Sequence, residues 1–123
     1  MAISSAESIV METVWRRSPL SAEEIFAEVG ESQGWALQTL KTLLGRLVEK
    51  KALAATKDGR RFLYRPLIAR EDYVANESQN LVDRLFGGRL APLVAHFSER
   101  EALSPEDIKE LKQLIGRLDN GRR

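Results

Sequence analysis

The sequence predicts a mainly α-helical fold with one small β-hairpin: an N-terminal winged helix-turn-helix followed by a helical dimerisation segment. Three observations support this prediction. Helix starts carry capping sequences, one segment alternates with a period of two around an Asp-Gly pair, and basic residues concentrate in the middle of the chain. We expect residues 1–68 to form the winged helix-turn-helix domain and residues 69–123 the helical dimerisation domain.

Two capping boxes mark the first two helices. Ser4 is followed by Glu7, and Ser21 by Glu24, which is the spacing at which a serine side chain and a glutamate side chain satisfy each other's backbone N–H groups. Apolar residues then recur at helical spacing after each box. We expect the first helix to run to about residue 16 and the second, shorter helix to end at Gly30.

The third helix is predicted from the segment TLKTLLGRLVEKK, at about residues 36–50. Its apolar residues recur at steps of three and four, on one side of a helix, and are Leu40, Leu43, Leu44, Leu47 and Val48. The opposite side carries threonine, glutamine, lysine and arginine, which suit hydrogen bonding to base edges in the major groove of DNA. The candidate DNA-binding residues here are Gln38, Thr39, Lys41, Thr42 and Arg46.

Gly45 lies on the same polar side, although glycine in a helix interior costs about 1 kcal/mol relative to alanine. Two interpretations are open at this point. The glycine permits close approach of a sugar-phosphate strand, or it relieves a packing clash within the protein.

A β-hairpin is predicted from the segment ALAATKDGRRFLYRP. Apolar and polar residues alternate with a period of two on both sides of Asp58-Gly59, and glycine accepts the positive φ that a tight turn requires. Arg60 and Arg61 lie at the tip of this hairpin, where a wing contacts the phosphate backbone or the minor groove. Both arginines are therefore candidate DNA-binding residues.

Three more amphipathic helices are predicted after residue 69, separated by Gly87-Gly88 and by the start signal Ser104-Pro105. About fifty residues can hardly bury all these apolar faces alone. We therefore predict a homodimer held by this segment, although the helices could instead dock a different partner. The candidate dimerisation residues are Leu81, Leu85, Phe86, Leu93, Phe97, Ile108, Leu111, Ile115 and Leu118.

Charge is distributed unevenly along the chain. Residues 1–34 have a balance of −4 and residues 71–123 a balance of −2, whereas residues 35–70 carry nine basic against two acidic side chains, a balance of +7. Clustering of this kind favours a polyanionic partner, here double-stranded DNA. A winged helix that binds only proteins is the alternative, and salt-sensitive binding to duplex DNA would separate the two.

Composition argues against several other classes. There is no cysteine and one histidine, so the sequence offers no thiol nucleophile and no zinc-cysteine site. It also offers no phosphate-binding glycine loop, because Gly87-Gly88 is not followed by Lys-Ser/Thr. We expect no enzymatic activity, no cofactor and no metal. The N-terminal stretch has no basic signal region, and glutamates interrupt it before a long apolar run forms. A cytoplasmic protein without membrane insertion is therefore expected.

The segments TLKTLLGRLVEKKALAATKDGRRFLYRP and LVDRLFGGRLAPLVAHFSEREALSPEDIKELKQLI resemble the penicillinase repressor family, the BlaI/MecI/CopY transcriptional regulators. SSAESIVMETVW and LSAEEI are similar to the family's first two helices, so the resemblance covers nearly the whole chain. It implies a dimeric repressor on a palindromic operator. The antibiotic-responsive members are released through a sensor-transducer protease pathway that cleaves the dimerisation segment, and the resemblance implies the same route here.

The resemblance places this regulatory cleavage bond between His96 and Phe97, where the family has asparagine before phenylalanine. Two further departures are the lack of the C-terminal cysteine cluster of copper-responsive members and the presence of Ala36 where many members have a capping serine. The cap of the third helix is expected either to shift to Ser32 or to be absent.

Overall fold

The computed structural model describes residues 2–121. Within these residues, six helices and three short strands follow one another. In order they are α1 (Ser5–Arg16), β1 (Leu20–Ser21), α2 (Ala22–Gln33), α3 (Leu37–Glu49), β2 (Leu53–Asp58), β3 (Arg61–Pro66), α4 (Arg70–Phe86), α5 (Leu90–Glu99) and α6 (Pro105–Gly121). The predicted mainly α-helical fold with a small β-hairpin is confirmed. Within residues 2–121, none of the helices combines the length and the apolar character that crossing a membrane requires.

Both predicted capping boxes are present. Ser4 Oγ accepts a hydrogen bond from the Glu7 N–H at 3.1 Å, and Glu7 Oε1 accepts one from the Ser4 N–H at 2.8 Å. Ser21 and Glu24 repeat this arrangement at the start of α2. These reciprocal bonds satisfy backbone donors that a helix start otherwise leaves without partners, which is why both helices begin where the sequence predicts.

The expected end of α2 at Gly30 was wrong. The helix continues to Gln33, and Gly34 follows with a left-handed φ of 70°. A Cβ atom on Gly30 would lie 2.5 Å from the Phe26 ring, so this buried glycine makes room for an aromatic side chain within the helix. A glycine does end the helix, but it is Gly34 rather than Gly30.

The sheet has three antiparallel strands in the order β1-β3-β2. Asp58 pairs with Arg61, which leaves Gly59 and Arg60 as the two-residue turn, and Gly59 has a φ of 65°. The hairpin is therefore confirmed in the predicted place. Strand β1 was not predicted, because two residues are too few to show a period, and it forms by pairing Leu20 with Tyr64.

The core lies between α1, α2, α3 and the sheet. Its fully buried members include Met11, Ile25, Leu40 and Leu44. Trp15 packs against this core, and its Nε1–H donates a hydrogen bond of 2.9 Å to the Ile68 carbonyl, which fixes the chain after the wing against α1.

The chain divides into two compact units, one up to Val74 and one from Ala75 onward. The first unit contains the core and the sheet. The second contains the C-terminal part of α4 together with α5 and α6. The predicted domain boundary after residue 68 stays a prediction.

In the second unit, Gly87 and Gly88 have left-handed φ angles of 61° and 80° where the break was predicted. Ser104 caps α6, because its Oγ accepts from the Asp107 N–H at 3.0 Å while Asp107 accepts from the Ser104 N–H.

Candidate nucleic-acid interface

Helix α3 has two sides of opposite character. Leu40, Leu44 and Leu47 are fully buried, and Leu43 nearly so. Val48 was expected on this apolar side, but it lies at its edge and is 36% exposed. The predicted polar side faces outward, and its exposed residues are Gln38, Thr39, Lys41, Thr42, Gly45 and Arg46.

The polar side of α3 is partly fixed by its own helix. Thr42 Oγ1 donates a hydrogen bond of 3.0 Å to the Gln38 carbonyl, one turn earlier. This bond sets the orientation of the Thr42 hydroxyl. A hydroxyl and a methyl group at one exposed position suit both hydrogen-bonding and apolar contact with bases.

Among the described residues, no side chain caps the N-terminus of α3. Ala36 occupies the N-cap position, and Ser32 does not replace it, because its Oγ donates to the Val29 carbonyl within α2. The absent cap, one of the two expected outcomes, is therefore what occurs. The first turn also lacks acidic residues, so the partial positive charge of the helix start is not compensated there.

The C-terminus of α3 is held by a partly buried ion pair that sequence reasoning missed. Lys50 Nζ lies 2.6 Å from Oε1 of Glu7 and donates a second hydrogen bond of 2.8 Å to the Ala2 carbonyl. The Glu7 side chain is 1% exposed. A lysine 43 positions away gives no local signal, and Glu7 already had an explanation as a capping residue.

The electrostatics of Glu7 depend on this pair. Burial acts to raise the pKa of Glu7, but the hydrogen bonds from Lys50 and Ser4 outweigh it, so the pKa lies below its ordinary value. Glu7 Oε2 is buried without a hydrogen-bond partner among the described residues. Glu7 is therefore a charged group that depends on Lys50 for compensation.

The wing carries two arginines in different surroundings. Arg61 NH2 lies 3.4 Å from Asp58 Oδ2, and Arg61 is also among the charges that lower the pKa of Glu24, after the larger effect of hydrogen bonds from Ser21. Arg60, at the turn, makes no ion pair with any residue that the structure describes. Both arginines are exposed. Of the two, Arg61 has its charge compensated by Asp58, whereas Arg60 does not.

Two aromatic residues, Phe62 and Tyr64, follow the arginines along the chain and share one face of β3. Phe62 is 49% exposed, although phenylalanine is usually buried. Tyr64 packs against the core, and burial, aided by the charge of Glu23, raises its pKa. The alternating sequence pattern predicts that both residues lie on one face of the strand. It does not predict that Tyr64 contacts the core while Phe62 is exposed.

The second unit exposes apolar side chains instead. Among its predicted dimerisation residues, Phe86, Leu93 and Leu111 are half-buried, and the others are exposed, up to 66% for Leu118. Between α5 and α6 an open groove is lined by apolar residues including Val94 and Leu114. Of the large apolar side chains described in this unit, Val82 alone is buried.

His96 and Phe97 lie in α5, and both are exposed. The His96 ring centroid is 5.2 Å from that of Phe97 and 6.2 Å from that of Phe86. Within residues 2–121, no three His, Asp or Glu side chains form a group that could hold a metal ion.

Comparison with known proteins gives a consistent picture. A family model described as Penicillinase repressor matches residues 3–117. The chain is 37% identical over 113 residues to the penicillinase repressor of Bacillus licheniformis, covering 92% of this chain and 88% of the relative. It is 33% identical over 115 residues to the methicillin resistance regulatory protein MecI of Staphylococcus aureus, covering 94% of each chain.

The solved structures similar to this chain include the monomeric form of Bacillus licheniformis BlaI in complex with the blaP half-operator. That similarity has a TM-score of 0.52 and 38% sequence identity, and it covers 59% of this chain and 89% of the BlaI chain.

Proposed function

The chain belongs to the penicillinase repressor family, and on that premise we propose that it is a sequence-specific DNA-binding transcriptional repressor that binds a palindromic operator as a homodimer. The family is one of transcriptional repressors, so the proposed role includes no catalysis and no cofactor. The proposed location is the cytoplasm, where the DNA partner is found.

One observation carries the proposal for DNA. The leucine side of α3 is buried in the core, and Thr39, Lys41, Thr42 and Arg46 are exposed on the remaining surface of the helix. A helix held in this way can enter the major groove, where arginine bonds guanine and threonine contacts thymine or adenine. Gln38 adds an amide that can pair with adenine.

The surroundings of α3 support the same partner. The uncapped helix start favours an anion, and the wing adds Arg60 and Arg61. Backbone N–H groups at helix starts and arginine side chains both contact phosphates in protein–DNA complexes. We propose that α3 reads bases while the wing arginines contact the sugar-phosphate backbone.

The proposal for a homodimer rests on the exposed apolar faces of the second unit. Leu85, Ile115 and Leu118 are each more than 60% exposed, in helices that also carry polar faces. Contact with the same surface of a second copy would bury these residues, and a two-fold axis would then present two α3 helices to two half-sites.

A sensor-transducer protease pathway that ends at the His96–Phe97 bond is the proposed route of release. Its support is the resemblance together with the exposure of both residues in α5. Mass spectrometry of the protein recovered from induced cells should show fragments that end at His96. Intact protein in cells where the operator has been released would contradict this route.

Selection of bound duplexes from a random pool tests the main proposal. We expect an enriched motif with two-fold symmetry, and sedimentation of the free protein should give a dimer. Salt-sensitive binding to the selected duplex is expected, because neutralised phosphates release counterions. A pool without any enriched motif, or binding independent of salt, would contradict the proposal.

A further inference from the structure

The α3 segment breaks two ordinary preferences of helices, both on its exposed surface. It has glycine in its interior, at Gly45, and it has lysine where the chain turns left-handed after the helix, at Lys51. Each choice lowers folding stability relative to its alternative, alanine in the first case and glycine in the second.

Gly45 has no packing reason within the part of the chain that the structure describes. A Cβ atom at this position would meet nothing within 4 Å, in contrast to Gly30, where it would strike Phe26. The interpretation that Gly45 relieves a packing clash is therefore excluded for the described chain. Lys41 and Thr42 precede Gly45 by one turn on the exposed side, so the glycine lies near the middle of the polar face, opposite the buried leucines.

Lys51 occupies a position that suits glycine. Its φ is 63°, the Lys51 N–H donates to the Val48 carbonyl, and the Ala52 N–H donates to the Leu47 carbonyl. These two hydrogen bonds form the Schellman motif, in which glycine is the usual residue because a side chain opposes the left-handed conformation.

The neighbouring lysine shows why Lys51 differs. Lys50 turns inward to Glu7 and the Ala2 carbonyl. Lys51 is exposed and makes no ion pair with any described residue. Its ammonium group is therefore available to a ligand at the end of the helix. Lys51 also belongs to residues 35–70, the segment with a charge balance of +7.

We infer that both departures are DNA contacts: Gly45 lets base edges approach the backbone of α3, and Lys51 binds a phosphate at the end of the helix. This inference rests on the proposed function and deepens it. A methyl group at Gly45 would hold the helix away from the groove floor, and glycine at Lys51 would remove one phosphate contact.

The second unit provides matched controls. Gly116 in α6 is also an open helical glycine, and Glu101 after α5 has a φ of 56° with the same pair of backbone hydrogen bonds. Gly116→Ala and Glu101→Gly relieve the same costs at positions outside α3. They should raise the melting temperature without lowering DNA affinity, provided that sedimentation shows an unchanged dimer.

The experiment compares thermal melting with affinity for two duplexes, the selected operator and a scrambled sequence, between about 50 and 200 mM salt. Gly45→Ala should raise the melting temperature by roughly 3–6 °C. It should weaken operator binding about tenfold or more, while binding to the scrambled duplex stays unchanged because that binding depends on phosphates.

Lys51→Gly should also raise the melting temperature, but it should weaken binding to both duplexes and reduce the slope of log affinity against log salt by about 0.9. Lys51→Ala should lose the same affinity without the gain in melting temperature, because alanine keeps the left-handed cost.

Unchanged operator affinity in Gly45→Ala, or an equal loss on both duplexes, would overturn the assignment of Gly45. An unchanged salt slope in Lys51→Gly would overturn that of Lys51. A comparable loss of affinity in the two control variants would overturn both assignments, since stabilisation alone would then explain it. If the wild-type protein itself selects no motif, the proposed function fails first, and this inference fails with it.

Discussion

The two units of this chain differ in how far they bury their apolar side chains. In the first unit, leucines such as Leu40 and Leu44 are fully buried, and the exposed side of α3 is polar and basic. In the second unit, leucines such as Leu85 and Leu118 are more than 60% exposed. The first unit buries most of its large apolar side chains and exposes basic ones, whereas the second unit exposes most of its large apolar side chains. The difference indicates two kinds of partner, a polyanion for the first and another apolar surface for the second.

Leucine-to-alanine substitutions in the two units give the strongest test of this difference in burial. Leu44→Ala removes a fully buried side chain and should lower the free energy of unfolding by about 2–5 kcal/mol. Leu118→Ala removes a side chain that is 66% exposed within one chain. In denaturant titrations at a protein concentration too low for association, it should change that free energy by about 0.5 kcal/mol or less. Equal losses would contradict the contrast.

A charged residue in the second unit should separate the two copies. Leu118→Asp should weaken dimerisation by about 2–4 kcal/mol, because it would place a carboxylate within an apolar contact. Analytical ultracentrifugation over a range of concentrations measures this change. Gln113→Asp is the matched control, because Gln113 lies on the opposite side of α6 from the apolar stripe. Dimerisation weakened equally by both variants would argue against the apolar face as the interface.

The partly buried Glu7–Lys50 pair should contribute more to stability than exposed ion pairs do. Glu7→Gln should lower the free energy of unfolding by about 1–3 kcal/mol near neutral pH, since Lys50 loses its charged partner. Arg17→Ala, which breaks an exposed pair with Glu28, should cost less than about 1 kcal/mol.

The pH dependence of stability identifies the charge of Glu7 as the cause. The pKa of Glu7 is lower in the folded protein than in the unfolded chain, so its contribution is complete above the unfolded pKa of about 4.3 and is lost as pH falls through the folded pKa. The stability difference between wild type and Glu7→Gln should therefore shrink as the solution is acidified below about pH 4. A difference independent of pH would assign the effect to packing instead.

Arg46 tests the base-reading role of the polar face. Arg46→Ala should weaken operator binding by about 1–3 kcal/mol and relax the preference at one base position. Repeating the duplex selection with the variant measures both effects. If all sequences weaken equally, Arg46 contacts a phosphate rather than a base.

The smallest expected effect distinguishes the two wing arginines. Arg60→Ala should lower affinity for all duplexes by about 1 kcal/mol and reduce the salt slope by about 0.9. Arg61→Ala should have a smaller effect, because Asp58 already lies 3.4 Å from the Arg61 guanidinium. The ratio of the two slopes measures the contribution of Asp58, and a larger effect at Arg61 would contradict this account of the wing.

Local sequence signals predicted most of the fold. Capping boxes, helical periodicity and the Asp58-Gly59 pair depend on neighbours within a few residues, so they can be read from one sequence, and the structure has them where they were predicted. Features that depend on distant residues could not be predicted. The Glu7–Lys50 pair, the pairing of Leu20 with Tyr64 and the fit of Phe26 over Gly30 appear only when the elements pack together.

The candidate site shows the same division. Period alone indicated which residues of α3 face outward, and all of them are exposed. It did not reveal that Lys50 turns inward, because that depends on its contact with Glu7, 43 positions away. The roles of these residues in binding DNA and in dimerisation remain predictions.

We propose that the exposed side of α3 and the wing form the DNA-binding surface of the first unit. Backbone amide chemical shifts, measured by NMR as the selected duplex is added, test it most directly. We expect the largest changes at residues 38–46 and 59–61. Amides of α3 that stay unchanged, while those of α5 and α6 shift on saturation with the duplex, would contradict the account.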